Sequence, residues 1–232
     1  MTDEQYLIQI SKVEIYCEIL LGILRYSNVK TYPNEEEQIK QLTKRLKFEN
    51  LYDFDLFRAC IDQMEDAQYA INEFKENGLA VNGNRHGEMY LRLYGVLNAC
   101  YLQVGVITDL LRLFNFQNQK EIRLELNELD AIKLRNKIAS HTTNYIDKDN
   151  NFSYFKVSQS SLDKNANRIL IVRSNEEADY INLFDFVIEF TKTIELYLEQ
   201  IVDKELYSRS FKKEAFEWMK FRHDFIKNCK PN

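Results

Sequence analysis

The sequence predicts an all-α protein, a helical bundle carrying a small β-hairpin insertion, and three observations predict it. Breakers are scarce: the 232 residues contain 2 prolines and 6 glycines, where average usage would give roughly 12 and 16. Apolar residues recur at intervals of three and four over long stretches, the period of a helix with one buried face. Only near 152–173 do two short strand-like runs stand between polar loops. A sandwich or barrel needs a turn every 8–12 residues or so, which this chain does not supply.

From the N-terminus, 2–26 reads as one helix. Asp3 and Glu4 suit its start, and Ile8, Val13, Ile15, Ile19 and Ile23 form its apolar face. Residues 28–34, with Pro33, break the pattern. Glu35-Glu36-Glu37 then opens a short helix to about Lys47, as a solvated first turn and not a metal site. Leu56, Cys60, Met64, Ala67 and Ile71 mark a helix over 53–76, closed by Asn77-Gly78 as a C-cap. The loop Asn82-Gly83-Asn84 separates an N-terminal helical region, 1–80, from a main helical domain, 87–232. That domain begins with the strongest helix, 87–114, striped by Leu93, Val96, Leu97, Val104, Ile107 and Leu111 and widened by Tyr90, Tyr94 and Tyr101. At 1.5 Å per residue it is about 40 Å long, the beam of a bundle.

A helix over 119–139 follows. Then 152–157 and 168–173 read as the strands of the hairpin, joined by 158–167, too long for a tight turn. A long helix begins near Asp179, with Leu183, Val187, Phe190, Ile194, Leu198 and Ile201 on one face. The last helix, 211–225, packs Phe211, Trp218, Phe221 and Phe225 inward and leaves its Lys and Arg, with His223, on the surface.

Composition bounds the function. A net charge of −5 excludes a generally basic coat for nucleic acid, though not a local patch. Residues 204–230 are the most basic stretch, with 8 Lys/Arg against 4 Asp/Glu. Cys17, Cys60, Cys100 and Cys229 lie far apart without a CxxC pair, and the chain opens on no signal peptide. They read as buried, reduced thiols of a cytoplasmic protein. No run approaches 18 consecutive apolar residues, so no membrane span is expected. Neither a phosphate-binding glycine loop nor a nucleophile elbow is present. The sequence offers no metal-ligand cluster and implies no cofactor.

The 119–139 helix is apolar on two sides. Ile122, Leu126, Leu129, Ile132 and Ala139 form one stripe, and Leu124, Asn127, Ala131, Leu134 and Ile138 a second. One side suits the bundle core; the other needs a second partner, either another helix or another protomer. Arg135 and His141 flank the second stripe, about 120° apart on a regular helical wheel. Lys133 and Lys137 add positive charge, and no acid lies between Lys133 and His141. Several fixed cations beside a titratable imidazole suit a phosphodiester. The bland alternative is a His at a helix C-terminus, favoured by the helix dipole, with Arg135 paired to Asp130 or a neighbouring helix.

The segment Leu134-Arg135-Asn136-Lys137-Ile138-Ala139-Ser140-His141 resembles the signature of HEPN domains: an Arg, a polar residue, and a His a few positions on, near a helix end. The segment from Met89 to Ala99 is similar to the long first core helix of bacterial HEPN-like proteins. The resemblance covers roughly 87–203. It departs from a common toxin subgroup, which carries Tyr two residues after the His, where this chain has Thr143.

What the resemblance implies is a metal-independent endoribonuclease acting as a homodimer, a toxin or phage-defence effector with RNA as substrate and an antitoxin or other protein as partner. Arg135 would hold the phosphate, Asn136 would orient it or the His, and His141 would move the proton. Lys133 and Lys137 would bind RNA. The alternative is a non-catalytic HEPN-like module that binds RNA, a nucleotide or a protein partner.

Overall fold

Several helices begin where side chains satisfy their free backbone groups. The computed structural model describes residues 2–26, 34–81, 83, 85–140, 145–146, 152–174 and 177–228. His141, Thr143, Cys229 and most of the predicted break at 28–34 lie outside the described residues. Among the described residues the chain forms nine α-helices and two small antiparallel sheets, a mostly helical fold with a β insertion, as the periodicity predicts.

The predicted first helix is two: α1 (Asp3–Leu7) and α2 (Lys12–Tyr26). Ser11 interrupts them. Its Oγ accepts from Glu14 N at 3.3 Å while its own N–H donates to Glu14 Oε2 at 2.9 Å, a reciprocal cap that starts a helix afresh. The pattern Ser11-Lys12-Val13-Glu14 is a sequence signal of that break. α3 (Glu35–Leu46) starts on Asn34, whose Oδ1 accepts from Glu37 N at 2.9 Å, and ends on Lys47 in the left-handed region. α4 (Leu51–Asn77) and α5 (His86–Leu113) match their predicted spans closely.

Gly78 follows α4 with φ +65°. A Cβ there would lie 2.0 Å from the Lys164 carbonyl oxygen, so no other residue fits without moving backbone. That approach lets Leu79 N–H donate to the same oxygen at 2.8 Å.

The predicted 119–139 helix is also divided: α6 (Gln119–Glu128), an extended Leu129, α7 (Asp130–Arg135) and a π turn (Asn136–Ser140). The regular wheel therefore stops at Arg135. Ile122, Leu126, Ala131, Ile132, Leu134 and Ile138 are buried, but Leu124 is exposed, so only the second half is covered on two sides.

The insertion holds more strands than a hairpin. β1 (Tyr145–Ile146) pairs with β2 (Phe152–Ser153). β3 (Phe155–Val157) pairs with β4 (Ile169–Arg173) with Val157 opposite Ile171, and β4 pairs with β5 (Ala178–Ile181) with Ile171 opposite Asp179. Residues 178–181, predicted as the start of the long helix, are thus an edge strand. That helix, α8 (Leu183–Ser208), starts one residue after Asn182, whose Oδ1 accepts from Asp185 N at 3.3 Å. All six of its predicted stripe residues, Leu183 to Ile201, are fully buried.

α9 (Lys213–Asn228) buries a different face from the one expected. Ala215, Met219, Arg222, His223 and Ile226 point inward, while Phe221 is exposed. Arg222 tolerates burial because Glu18 Oε2 accepts from its Nε at 2.7 Å and its guanidinium lies 3.7 Å from the Trp218 ring.

The chain packs as two compact units, each assembled from separate stretches on both sides of the 82–84 loop. One comprises Met1–Asp66, Gly105–Gln119 and Ile194–Asn232; the other comprises Ala67–Val104 and Lys120–Thr193. In the first, Arg209 donates to the Arg45 and Leu46 carbonyls at the end of α3, and Lys204 to the Phe114 and Asn115 carbonyls after α5. Both cations satisfy helix C-termini. Asp53, 2% exposed, caps α4 and takes both terminal nitrogens of Arg112 at 3.1 Å. Cys17, Cys60 and Cys100 are buried free thiols, as expected; burial pushes Cys60 up to about 12 and raises the other two as well, so none is poised to react. Among the described residues α5 is long and apolar enough, by length and composition, to cross a membrane, with mean hydropathy 1.3 over its best window. However, 61% of that window is buried within the fold, as in a core helix.

Candidate functional site

Arg135 is the last residue of α7 and the π turn begins at Asn136. A π turn closes i→i+5 bonds, one residue wider than the α ladder, and such turns cluster at functional sites. Arg135 is half-buried. Its guanidinium carbon lies 4.0 Å from the Tyr101 ring centroid on α5, and its Nη1 donates to Asn136 Oδ1 at 3.2 Å. Among the described residues it forms no ion pair. The guanidinium is therefore oriented by a ring and an amide, neither of which neutralises it. Of the two bland alternatives, Arg135 makes no pair with Asp130 but does meet a neighbouring helix, α5, through Tyr101. Tyr101, which the sequence offered only as a widening of the α5 stripe, is 41% exposed and supplies the stacking face.

Lys133 and Lys137 stand apart from Arg135. They line a cleft of about 420 Å³ in the second unit, between α7, the π turn and the three-stranded sheet, which neither Arg135 nor Asn136 lines. Lys137 Nζ lies 5.2 Å from the Phe155 ring, which meets Tyr145 edge-on. Lys133 pairs with Glu128 at 3.0 Å. Arg173 joins the two lysines in the cleft, but so do Asp130, Glu177 and Asp179. Three cations face three carboxylates, so the cleft is charge-balanced. The sequence hides this because two of the acids sit on or beside β5, far along the chain.

The other polar cluster is in the first unit, and the sequence reading placed it wrongly. His223, expected on the surface, is fully buried. Glu199 and Asp203, one helical turn apart on α8, bring their carboxylates to it, so that their oxygens and a His223 ring nitrogen all lie within 4.8 Å of one another. Helix packing thus gathers three potential ligand side chains that the spacing of the sequence does not show. The Tyr207 hydroxyl is 3.2 Å from His223 Nδ1, and Lys227 Nζ is 3.1 Å from Asp203 Oδ1 and 3.7 Å from Glu199 Oε1. Burial, then Lys227, pushes the imidazole below its ordinary value. The i, i+4 spacings of 199/203 and 223/227 are visible in the sequence; which helix faces which is not.

In comparisons with protein-family models, curated proteins and solved structures, no match was found for the chain.

Proposed function

We propose that the chain is a metal-independent endoribonuclease of the HEPN type, acting as a homodimer in the cytoplasm, with the role of a toxin or phage-defence effector. The observation that carries this reading is the setting of Arg135: a half-buried guanidinium at a helix end, stacked 4.0 Å from Tyr101, hydrogen-bonded to Asn136 and unpaired by any described acid. A guanidinium keeps its proton throughout and presents paired donors to two phosphate oxygens. The Arg-Asn pair followed by His141 supplies the remaining chemistry.

In the reaction, His141 takes the proton of a ribose 2′-OH. The 2′ oxygen attacks the adjacent phosphorus, and the bond from phosphorus to the 5′ oxygen breaks. The leaving oxygen takes a proton from a second imidazolium, the same residue of the other protomer. The products are a 2′,3′-cyclic phosphate and a 5′-hydroxyl. Arg135 offsets the charge that builds on the non-bridging oxygens, and Asn136 fixes its direction. RNA cleavage in the presence of EDTA tests this. Wild type should cut and leave cyclic phosphate ends, while His141→Ala and Arg135→Ala should lose at least about 100-fold in rate. Equal cutting by His141→Ala and wild type rejects the assignment.

One observation favours a second reading, a non-catalytic module. Asp130, Glu177 and Asp179 balance the cations beside Lys133 and Lys137, which suits a small or zwitterionic ligand better than a long polyanion. That reading predicts binding without cleavage, and an affinity for RNA that falls little with salt.

A further inference from the structure

The Glu199–Asp203–His223 cluster plays no part in the ribonuclease reading, and its geometry calls for a cation. Among the described residues His223 Nε2 is buried without a hydrogen-bond partner, although Asp203 Oδ1 is only 3.2 Å away. The two atoms are close enough for an ion pair but badly aligned for a hydrogen bond. On the other side of the ring, Nδ1 faces the Tyr207 hydroxyl at 3.2 Å. With Nδ1–H donating to that hydroxyl, the Nε2 lone pair points at carboxylate oxygens. Two electron-rich atoms at that distance repel unless a positive centre lies between them. Lys227 supplies a partial answer: its ammonium sits 3.1 and 3.3 Å from the two Asp203 oxygens. One ammonium against two carboxylates leaves a net negative charge, and the Lys227 ammonium donates to Asp203 and not to the imidazole lone pair.

We infer that Glu199, Asp203 and His223 form a binding site for a first-row transition dication of the zinc class, which displaces the Lys227 ammonium. Nitrogen beside two carboxylates argues against calcium and magnesium, which take all-oxygen shells. The lack of a thiolate argues against copper(I) and iron–sulfur clusters. Two carboxylates and a neutral imidazole make an uncharged complex with a dication. Neighbouring ligands around a tetrahedral ion with bonds of about 2.0–2.2 Å lie roughly 3.3–3.6 Å apart. The atoms here lie within 4.8 Å, a gap that rotation of the two half-buried carboxylates closes. Tyr207 holds the outer nitrogen, the arrangement that fixes a ligating histidine in the right tautomer. Lys227 is at the exposed end of α9 and can swing into solvent. Three protein ligands leave a fourth position for water or an anion.

Zinc titration of the full chain, stripped with chelator and followed by calorimetry and thermal melting, tests the site. One equivalent should bind at about micromolar Kd or tighter and raise the melting temperature, because the ion ties α8 to α9. Cobalt(II) in the same site should give visible absorption bands. His223→Gln and Asp203→Asn should each weaken binding at least about tenfold, and Lys227→Met should tighten it about tenfold. Failure of wild type to bind, or equal affinity in His223→Gln and wild type, overturns the inference. Should His223→Gln fail to fold, Lys227→Met decides alone: unchanged or weaker affinity there overturns it. No arm uses RNA, so the outcome is independent of the nuclease reading.

Discussion

The Arg135 and His223 neighbourhoods use the same raw materials, a cationic or titratable side chain, an aromatic ring and a polar partner, and arrive at opposite states. Arg135 stays half-open to solvent, so its charge costs little and remains available to a ligand. His223 is shut away from water, so its charged form is penalised and only a group already inside can use its lone pair. Local chain geometry builds the first: residues 135 and 136 are adjacent, and the π turn spreads the helix end around them. Helix pairing builds the second, because 199, 203, 223 and 227 meet only where α8 faces α9. Burial, more than residue type, separates a cationic side chain left open to an external ligand from an imidazole that only an internal group can reach.

The contrast breaks or sharpens under mutation. His223→Ala should cost about 2–4 kcal/mol in chemical denaturation, from the cavity and the carboxylates left facing each other. A loss below about 1 kcal/mol would remove the distinction from Arg135. The pH dependence comes next. Because burial and Lys227 lower the folded imidazole below 6.5, the unfolded chain binds more protons between that lowered value and 6.5. Stability contributed by the neutral ring is present above 6.5 and lost as pH falls through that window, by at most about 1.4 kcal/mol per unit. Denaturation curves for wild type and His223→Gln should therefore converge on acidification; parallel curves would show the ring titrating normally. Tyr101→Leu removes the stacking face of Arg135 and should cost about 0.5–1 kcal/mol, with a larger effect on RNA cleavage than on melting. Lys133→Ala loses an exposed pair with Glu128 and should change stability by less than about 0.5 kcal/mol.

The sequence carried the helical architecture through spacing: the stripe of α8, from Leu183 to Ile201, is buried at every position named from periodicity. It was less informative wherever a tertiary partner overrode local preference. Residues 178–181 extend as a strand because β4 offers hydrogen bonds that an isolated peptide lacks. α9 turns Arg222 inward and Phe221 outward because Glu18 and Trp218 compensate the charge, and a wheel that sorts residues by hydropathy cannot see them. In the candidate site, Arg135 and Asn136 were legible as neighbours. Tyr101 was not, since a tyrosine on a helix stripe gives no sign of which cation it will meet. The acids of the cleft were missed for the same reason: Asp179 belongs to a strand read as helix.

The wide turn at 136–140 also bears on how the chain tolerates insertions and deletions. A π turn is an α-helix with one extra residue, so losing one residue there would restore the ordinary ladder. Elsewhere in α7 the same loss would turn every later side chain by about 100°. Homologous chains are therefore expected to differ in length by one at this point and keep the winding of α7 before it. Motif patterns drawn across it should allow for a gap.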